Sequence, residues 1–114
     1  MNLVIIETDE HHFSTLGCYG GEIVGTPNID WIAKNGARCT SFYATTPVCS
    51  PSRASLLSGC YPQKTDVVKN DIPMNDSVIT FAEILKRNGY ETGYAGKWHP
   101  VSYTHLTLPT ICSV

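Results

Sequence analysis

Cys49-Ser50-Pro51-Ser52-Arg53-Ala54-Ser55-Leu56-Leu57-Ser58-Gly59 reads as the opening and body of a helix. Ser50 is a good N-cap residue, and Pro51 then takes the first helical position, where its missing N–H costs nothing. Ala54, Leu56 and Leu57 supply helix propensity and an apolar face, and Gly59 suits the C-terminal end. Cys49 is thereby expected just ahead of the exposed N–H groups and the positive end of the helix dipole. Arg53 follows one turn later on the same side. Backbone and guanidinium together would hold an anion there, next to a nucleophilic sulfur. The same run also suits a small buried cysteine in a capped helix.

Upstream of this helix, Ala37 to Thr46 predicts a strand, with Thr40, Phe42 and Tyr43 as its β-formers, and Pro47 stops it. Strand, short turn and nucleophile at a helix start make a familiar way of presenting a reactive atom. Before that, Thr26-Pro27-Asn28-Ile29-Asp30 opens a helix: Thr26 caps, Pro27 takes the first position, Ile29, Ile32 and Ala33 line one face, and Gly36 ends it. Its role is expected to be packing. Leu3-Val4-Ile5-Ile6 is a continuous apolar run that suits a central strand covered on both faces. Thr8-Asp9-Glu10 follows, at the end of a strand, where open α/β sheets place ligand chemistry. Adjacent carboxylates there suit a hard cation, or form a solvated acidic turn. His11 and His12 come next, and neighbouring histidines in such a loop tend to point apart.

Downstream, Tyr61 to Thr65 reads as a loop, and Lys69 to Ser77 as an exposed polar stretch. Ser77 is the expected cap of a helix carrying Phe81, Ile84, Leu85 and Asn88 and ending at Gly89. Glu91 to Ala95 predicts a strand leading into Gly96-Lys97-Trp98-His99. Lys97 and His99 alternate, so an extended backbone would project both to one side. A cation and an imidazole together can grip an oxyanion and protonate a departing oxygen, although a surface turn would use the same residues.

The totals exclude several classes. A net charge of -2 offers no basic field for nucleic acid. No apolar run approaches the roughly 20 residues of a membrane span, so no membrane partner is expected. With no charged-then-apolar leader ahead of Leu3, a cytoplasmic location is the expectation. The five cysteines, at 18, 39, 49, 60 and 112, are odd in number and lack a Cys-x-x-Cys spacing, which argues against a zinc ribbon or a disulfide framework.

The Cys49-x-Pro51-Ser52-Arg53 run with its small and apolar continuation to Ser58-Gly59 resembles the signature of the sulfatases. The Leu16-Gly17-Cys18-Tyr19-Gly20 turn, Thr26 to Asp30, and Gly96-Lys97-Trp98-His99 are similar to the family's pattern as well. The resemblance covers Leu3 to His99. It implies the N-terminal part of an α/β fold of the alkaline-phosphatase-like type, over residues 1–100, in which helices flank a mixed, mostly parallel central sheet. A full member is several times longer, and the remaining metal ligands and substrate-binding residues lie in that later part.

What the resemblance implies about the site is specific. Cys49 becomes formylglycine through a formylglycine-generating enzyme. Asp9, Glu10 and the modified Cys49 bind Ca²⁺, alternatively Mg²⁺ or Mn²⁺. Asp9 matches the first acid of the family's pair, whereas Glu10 replaces the commoner Asp. Cys49, Arg53, Lys97 and His99 are the catalytic set. One hydroxyl of the hydrated aldehyde attacks the sulfur of a sulfate monoester, a small-molecule or carbohydrate ester. The metal, Arg53 and Lys97 offset charge on the sulfuryl oxygens, His99 protonates the leaving oxygen, and the second hydroxyl expels sulfate and restores the aldehyde. A phosphonate or phosphate monoester hydrolase of the same superfamily, and a non-catalytic anion-binding paralogue, remain alternatives.

Residues 101–114 stand apart. Val101-Ser102-Tyr103-Thr104-His105-Leu106-Thr107-Leu108-Pro109-Thr110 resembles the in-frame translation of a transposon-derived sequencing adapter, and the segment is expected to be non-native.

Overall fold

The computed structural model describes residues 1–97 and, in backbone, residues 110–111. Residues 98–109 and 112–114, His99 and Pro100 among them, lie outside the described residues. The chain divides into two units, Met1–Phe42 and Tyr43–Val114.

The first unit is built on a polar clamp. Two 3-10 turns, Phe13–Thr15 and Gly17–Tyr19, precede helix α1, Pro27–Asn35. Thr26 is at the N-cap and Pro27 at the first helical position, as the sequence predicts. Yet the Thr26 hydroxyl does not cap α1. It accepts the Gly17 N–H at 2.8 Å and donates to Asp30 Oδ1 at 3.1 Å, and that same oxygen accepts the Cys18 N–H at 2.6 Å. The Thr26-to-Asp30 stretch therefore does more than pack: it satisfies two backbone donors of the preceding turn. Gly17 is required there, because a Cβ would run into the Asp30 carboxylate. Gly20 closes the turn in the left-handed region at φ 89, which glycine adopts without a Cβ penalty.

The expected strands of this region are not formed among the described residues. Leu3 to Ile6 has no assigned strand, and Val4 and Ile6 are 78% and 84% exposed. A two-sided buried strand needs paired neighbours and covering helices, and no described segment pairs with this run. Ala37 to Thr46 is likewise irregular. Part of its backbone is satisfied otherwise: the Tyr19 hydroxyl donates to the Cys39 carbonyl at 2.6 Å. Arg38 donates to the Cys18 carbonyl, and its guanidinium lies 5.4 Å from the Tyr19 ring centroid.

The second unit is organised by helix α2, Cys49–Ser58, against which α3, Pro62–Thr65, and α4, Phe81–Arg87, pack. Its buried apolar residues are Ala54, Leu57, Val67 and Ala82. α2 starts two residues earlier than Ser50 as cap would allow. Val48 is the N-cap, in extended geometry, and the Ser52 N–H reaches the Val48 carbonyl at 3.0 Å. Pro51 is consequently the third helical residue, where an N–H is still dispensable. Gly59 ends the helix at φ 67, its N–H bonded to the Ser55 carbonyl at 2.8 Å.

The remaining elements correct the sequence reading at their ends. Tyr61 to Thr65 is not a plain loop, since Pro62 opens the one-turn α3. Thr80, not Ser77, caps α4. The Thr80 hydroxyl accepts the Glu83 N–H at 3.3 Å while Glu83 Oε2 takes the Thr80 N–H at 2.7 Å, a capping box. Ser77 is engaged by its neighbour, both its N–H and its hydroxyl donating to Asn75 Oδ1. The strand expected over Glu91 to Ala95 shortens to β1, Tyr94–Ala95, paired in parallel with β2, Thr110–Ile111. This two-residue ladder is the described sheet, so the wider mixed sheet is not seen.

Candidate active site

Cys49 is the first residue of α2 and is half-buried. Arg53 lies four residues on, on the same face of the helix, and is 8% exposed. Its guanidinium, a planar fork of N–H donors, has the chemistry of an oxyanion ligand. The first turn is less open to an anion than the sequence suggests. Pro51 has no N–H, Ser52 is bonded to Val48, and the Ser50 N–H is taken by Asn70 Oδ1 at 3.0 Å. Among the described residues, the Cys49 N–H is the first-turn donor left over. An anion at this helix start would therefore meet side-chain donors more than backbone ones.

Lys97 is half-buried, and its carbonyl accepts the Tyr94 hydroxyl at 2.6 Å, closing the turn after β1. The left-handed Gly96, φ 132, allows that reversal. His99, the partner expected on the same side as Lys97, lies outside the described residues.

Asp9 and Glu10 belong to the other unit and are exposed. Glu10 is at φ 54, a left-handed conformation uncommon for a residue with a Cβ. Among the described residues no group of three or more His, Cys, Asp or Glu comes together to hold a metal. The two carboxylates are hard oxygen donors and fit Ca²⁺ or Mg²⁺ as two members of a larger set. The histidines beside them are occupied: His11 Nε2 is 2.6 Å from the Thr15 hydroxyl, and His12 Nδ1 is 2.7 Å from that of Ser14. His12 also caps the first 3-10 turn by accepting the Ser14 N–H.

Sequence reasoning missed two contributors. Asn70 fell in a stretch read only as polar and exposed, but Val48 and Pro51 together were a signal that the cap of α2 had to come from elsewhere. Asp30 was read as part of a packing helix, although its carboxylate holds the Gly17–Cys18 turn.

A model of the sulfatase family matches residues 1–105. An ulvan-active sulfatase of Formosa agariphila is 44% identical over 98 residues, covering 86% of this chain and 19% of the relative. An N-acetylglucosamine-6-O-sulfatase of Bacteroides thetaiotaomicron is 37% identical, covering 89% and 18%. Human arylsulfatase A is 40% identical over 106 residues, covering 86% and 20%. The chain thus spans about one fifth of the length of these relatives. The crystal structure of a Bacteroides fragilis protein named as the sulfatase yidJ superposes with a TM-score of 0.70 at 34% identity, covering 75% of this chain and 20% of that one. No helix among the described residues is long and apolar enough to cross a membrane. The alkaline-phosphatase-like architecture expected from the motifs agrees with that neighbour, and the chain belongs to the sulfatase family.

Proposed function

We propose that the full-length protein carrying this segment is a sulfuric ester hydrolase whose nucleophile is formylglycine made from Cys49. The observation that carries this is Cys49 at the first residue of a ten-residue helix, with the buried residue Arg53 one turn behind it, in a chain of the sulfatase family. A hydrated formylglycine at this position supplies a second hydroxyl through which sulfate can be released, an exit that a plain thiol or serine lacks. Asp9 and Glu10 are the residues of this segment that would hold a divalent cation, with Ca²⁺ the proposed ion. When bound, the ion stabilises negative charge on the reacting oxygens.

The chain's own side chains do the rest. Arg53 and Lys97 bind the sulfuryl oxygens and offset the charge that builds there. His99 holds the proton destined for the departing alcohol or phenol oxygen. Two relatives are named for ulvan and for N-acetylglucosamine-6-O-sulfate, which supports a carbohydrate sulfate ester as the substrate class. The mixed central sheet belongs to this proposal too, because the exposed Leu3 to Ile6 run has the composition of a central strand.

The test is a comparison of sulfate, phosphate and phosphonate monoesters on the full-length protein, co-expressed with a formylglycine-generating enzyme and paired with peptide mass spectrometry at Cys49. Turnover of the sulfate ester with an aldehyde at Cys49 is the expected result. Preference for the phosphorus esters would favour the phosphatase or phosphonatase reading. An unmodified thiol, in a host proven to modify other sulfatases, would sink the formylglycine mechanism.

A further inference from the structure

Helix α2 begins without a capping side chain of its own. Val48, at the N-cap, carries no hydrogen-bonding group, Pro51 carries no N–H, and the Ser52 N–H is already used. Two first-turn donors remain, those of Cys49 and Ser50. Ser50 is fully buried, so water cannot serve its N–H. The donor is instead satisfied by Asn70 Oδ1 at 3.0 Å, from a turn twenty residues further along, immediately before the left-handed Asp71. An orphaned N–H at this place would loosen the turn that carries Cys49 and sets its spacing to Arg53.

We propose that Asn70 is a positioning residue for the residue-49 nucleophile: its amide oxygen supplies the missing cap of α2 and fixes the first turn. What that positioning serves rests on the sulfatase reading above. The residue type fits the task. Asn and Asp cap about equally well, but a carboxylate would place negative charge next to a site that must accept an anion. A neutral amide oxygen caps without that repulsion.

The geometry also provides a rescue. A serine at an N-cap accepts the N–H of the second or third helical residue, and with Pro51 third, Ser50 is the one available partner. Val48 is in the extended geometry that an N-cap requires, at φ -127 and ψ 137. Val48→Ser should therefore replace, from the adjacent position, the bond that Asn70→Ala removes.

The experiment uses the full-length protein and reads two quantities in the wild type, Asn70→Ala, Val48→Ser/Asn70→Ala and Asn70→Asp. One is amide hydrogen exchange at Ser50. The other is kcat and KM for an aryl sulfate, normalised to the formylglycine content of each preparation. In Asn70→Ala, exchange at Ser50 is expected to quicken roughly fivefold or more, and kcat to fall about tenfold with KM within about twofold. Val48→Ser should restore both. Asn70→Asp should keep Ser50 protected while raising KM. Unchanged exchange in Asn70→Ala, or a double variant that recovers exchange without kcat, would overturn the positioning role. Since exchange is read without turnover, a wild type that hydrolyses no sulfate ester would refute the sulfatase reading separately, and Ser50 exchange would still decide whether Asn70 caps α2.

Discussion

Replacing Asp30 by Ala should unfasten the turn that follows the candidate metal ligands. The carboxylate oxygen Oδ1 accepts the Cys18 N–H at 2.6 Å and the Thr26 hydroxyl at 3.1 Å, and the Thr26 hydroxyl in turn accepts the Gly17 N–H. A hydrogen bond to a charged acceptor contributes about 1.5–3 kcal/mol, and one between neutral groups about 1 kcal/mol. The site is only partly buried, which lowers the first figure, and Thr26 can still accept from Gly17. A local loss of about 2–3 kcal/mol follows. Through RT this corresponds to roughly 30- to 150-fold faster opening of the Gly17 and Cys18 amides, if they exchange by local opening. Hydrogen-exchange mass spectrometry on the peptide spanning residues 13–21, in the full-length protein, reads it directly. Asp30→Asn retains the acceptor oxygen and should recover more than half of the protection. A second arm uses Gly17→Ala, whose Cβ would meet the Asp30 carboxylate. That substitution should cost less in the Asp30→Ala background than in the wild type, because the obstructing carboxylate is gone. Exchange in Asp30→Ala within about twofold of the wild type would refute the clamp, as would strict additivity of the two substitutions.

Three further outcomes are expected. Asp9→Ala should remove bound divalent metal and turnover together, read by metal analysis and a sulfate ester assay, and Glu10→Gln should have the milder effect if Glu10 acts through its neighbour; unchanged metal content in Asp9→Ala counts against ligation. Thr80→Ala should lower stability by about 1–2 kcal/mol in chemical denaturation, since it removes the hydroxyl half of the α4 capping box at a buried position, whereas Ser77→Ala should stay within about 0.5 kcal/mol. Residue 100 should prove to be leucine in the native gene: the family pattern continues Gly-Lys-Trp-His-Leu-Gly, and the adapter's leading bases CT after a native C turn that codon into proline. Gene reads continuing without a break through residues 101–114 would refute the artefact reading.

Much of the candidate site is local chemistry and was legible without coordinates. The Cys49-x-Pro51-x-Arg53 spacing puts a sulfur and a guanidinium one turn apart on any helix that starts there, so α2 and its Gly59 terminus followed from residue types alone. Helix α1 with Pro27 at its first position was equally plain, because proline and glycine punctuate through their own backbone geometry. The strands were a different matter. Leu3 to Ile6 and Ala37 to Thr46 have strand composition, but a strand exists only when another segment takes its N–H and C=O groups, and that is not a property of the run itself. The caps divide the same way. Thr80 pairs with Glu83 three residues on, a pattern visible in sequence once the helix start is right. The bond from Ser50 to Asn70 spans twenty residues, and that from Cys18 to Asp30 spans twelve. No local pattern encodes such partners. Only the folded path of the chain decides which amide finds which oxygen, since burial removes the water that would otherwise serve every donor alike.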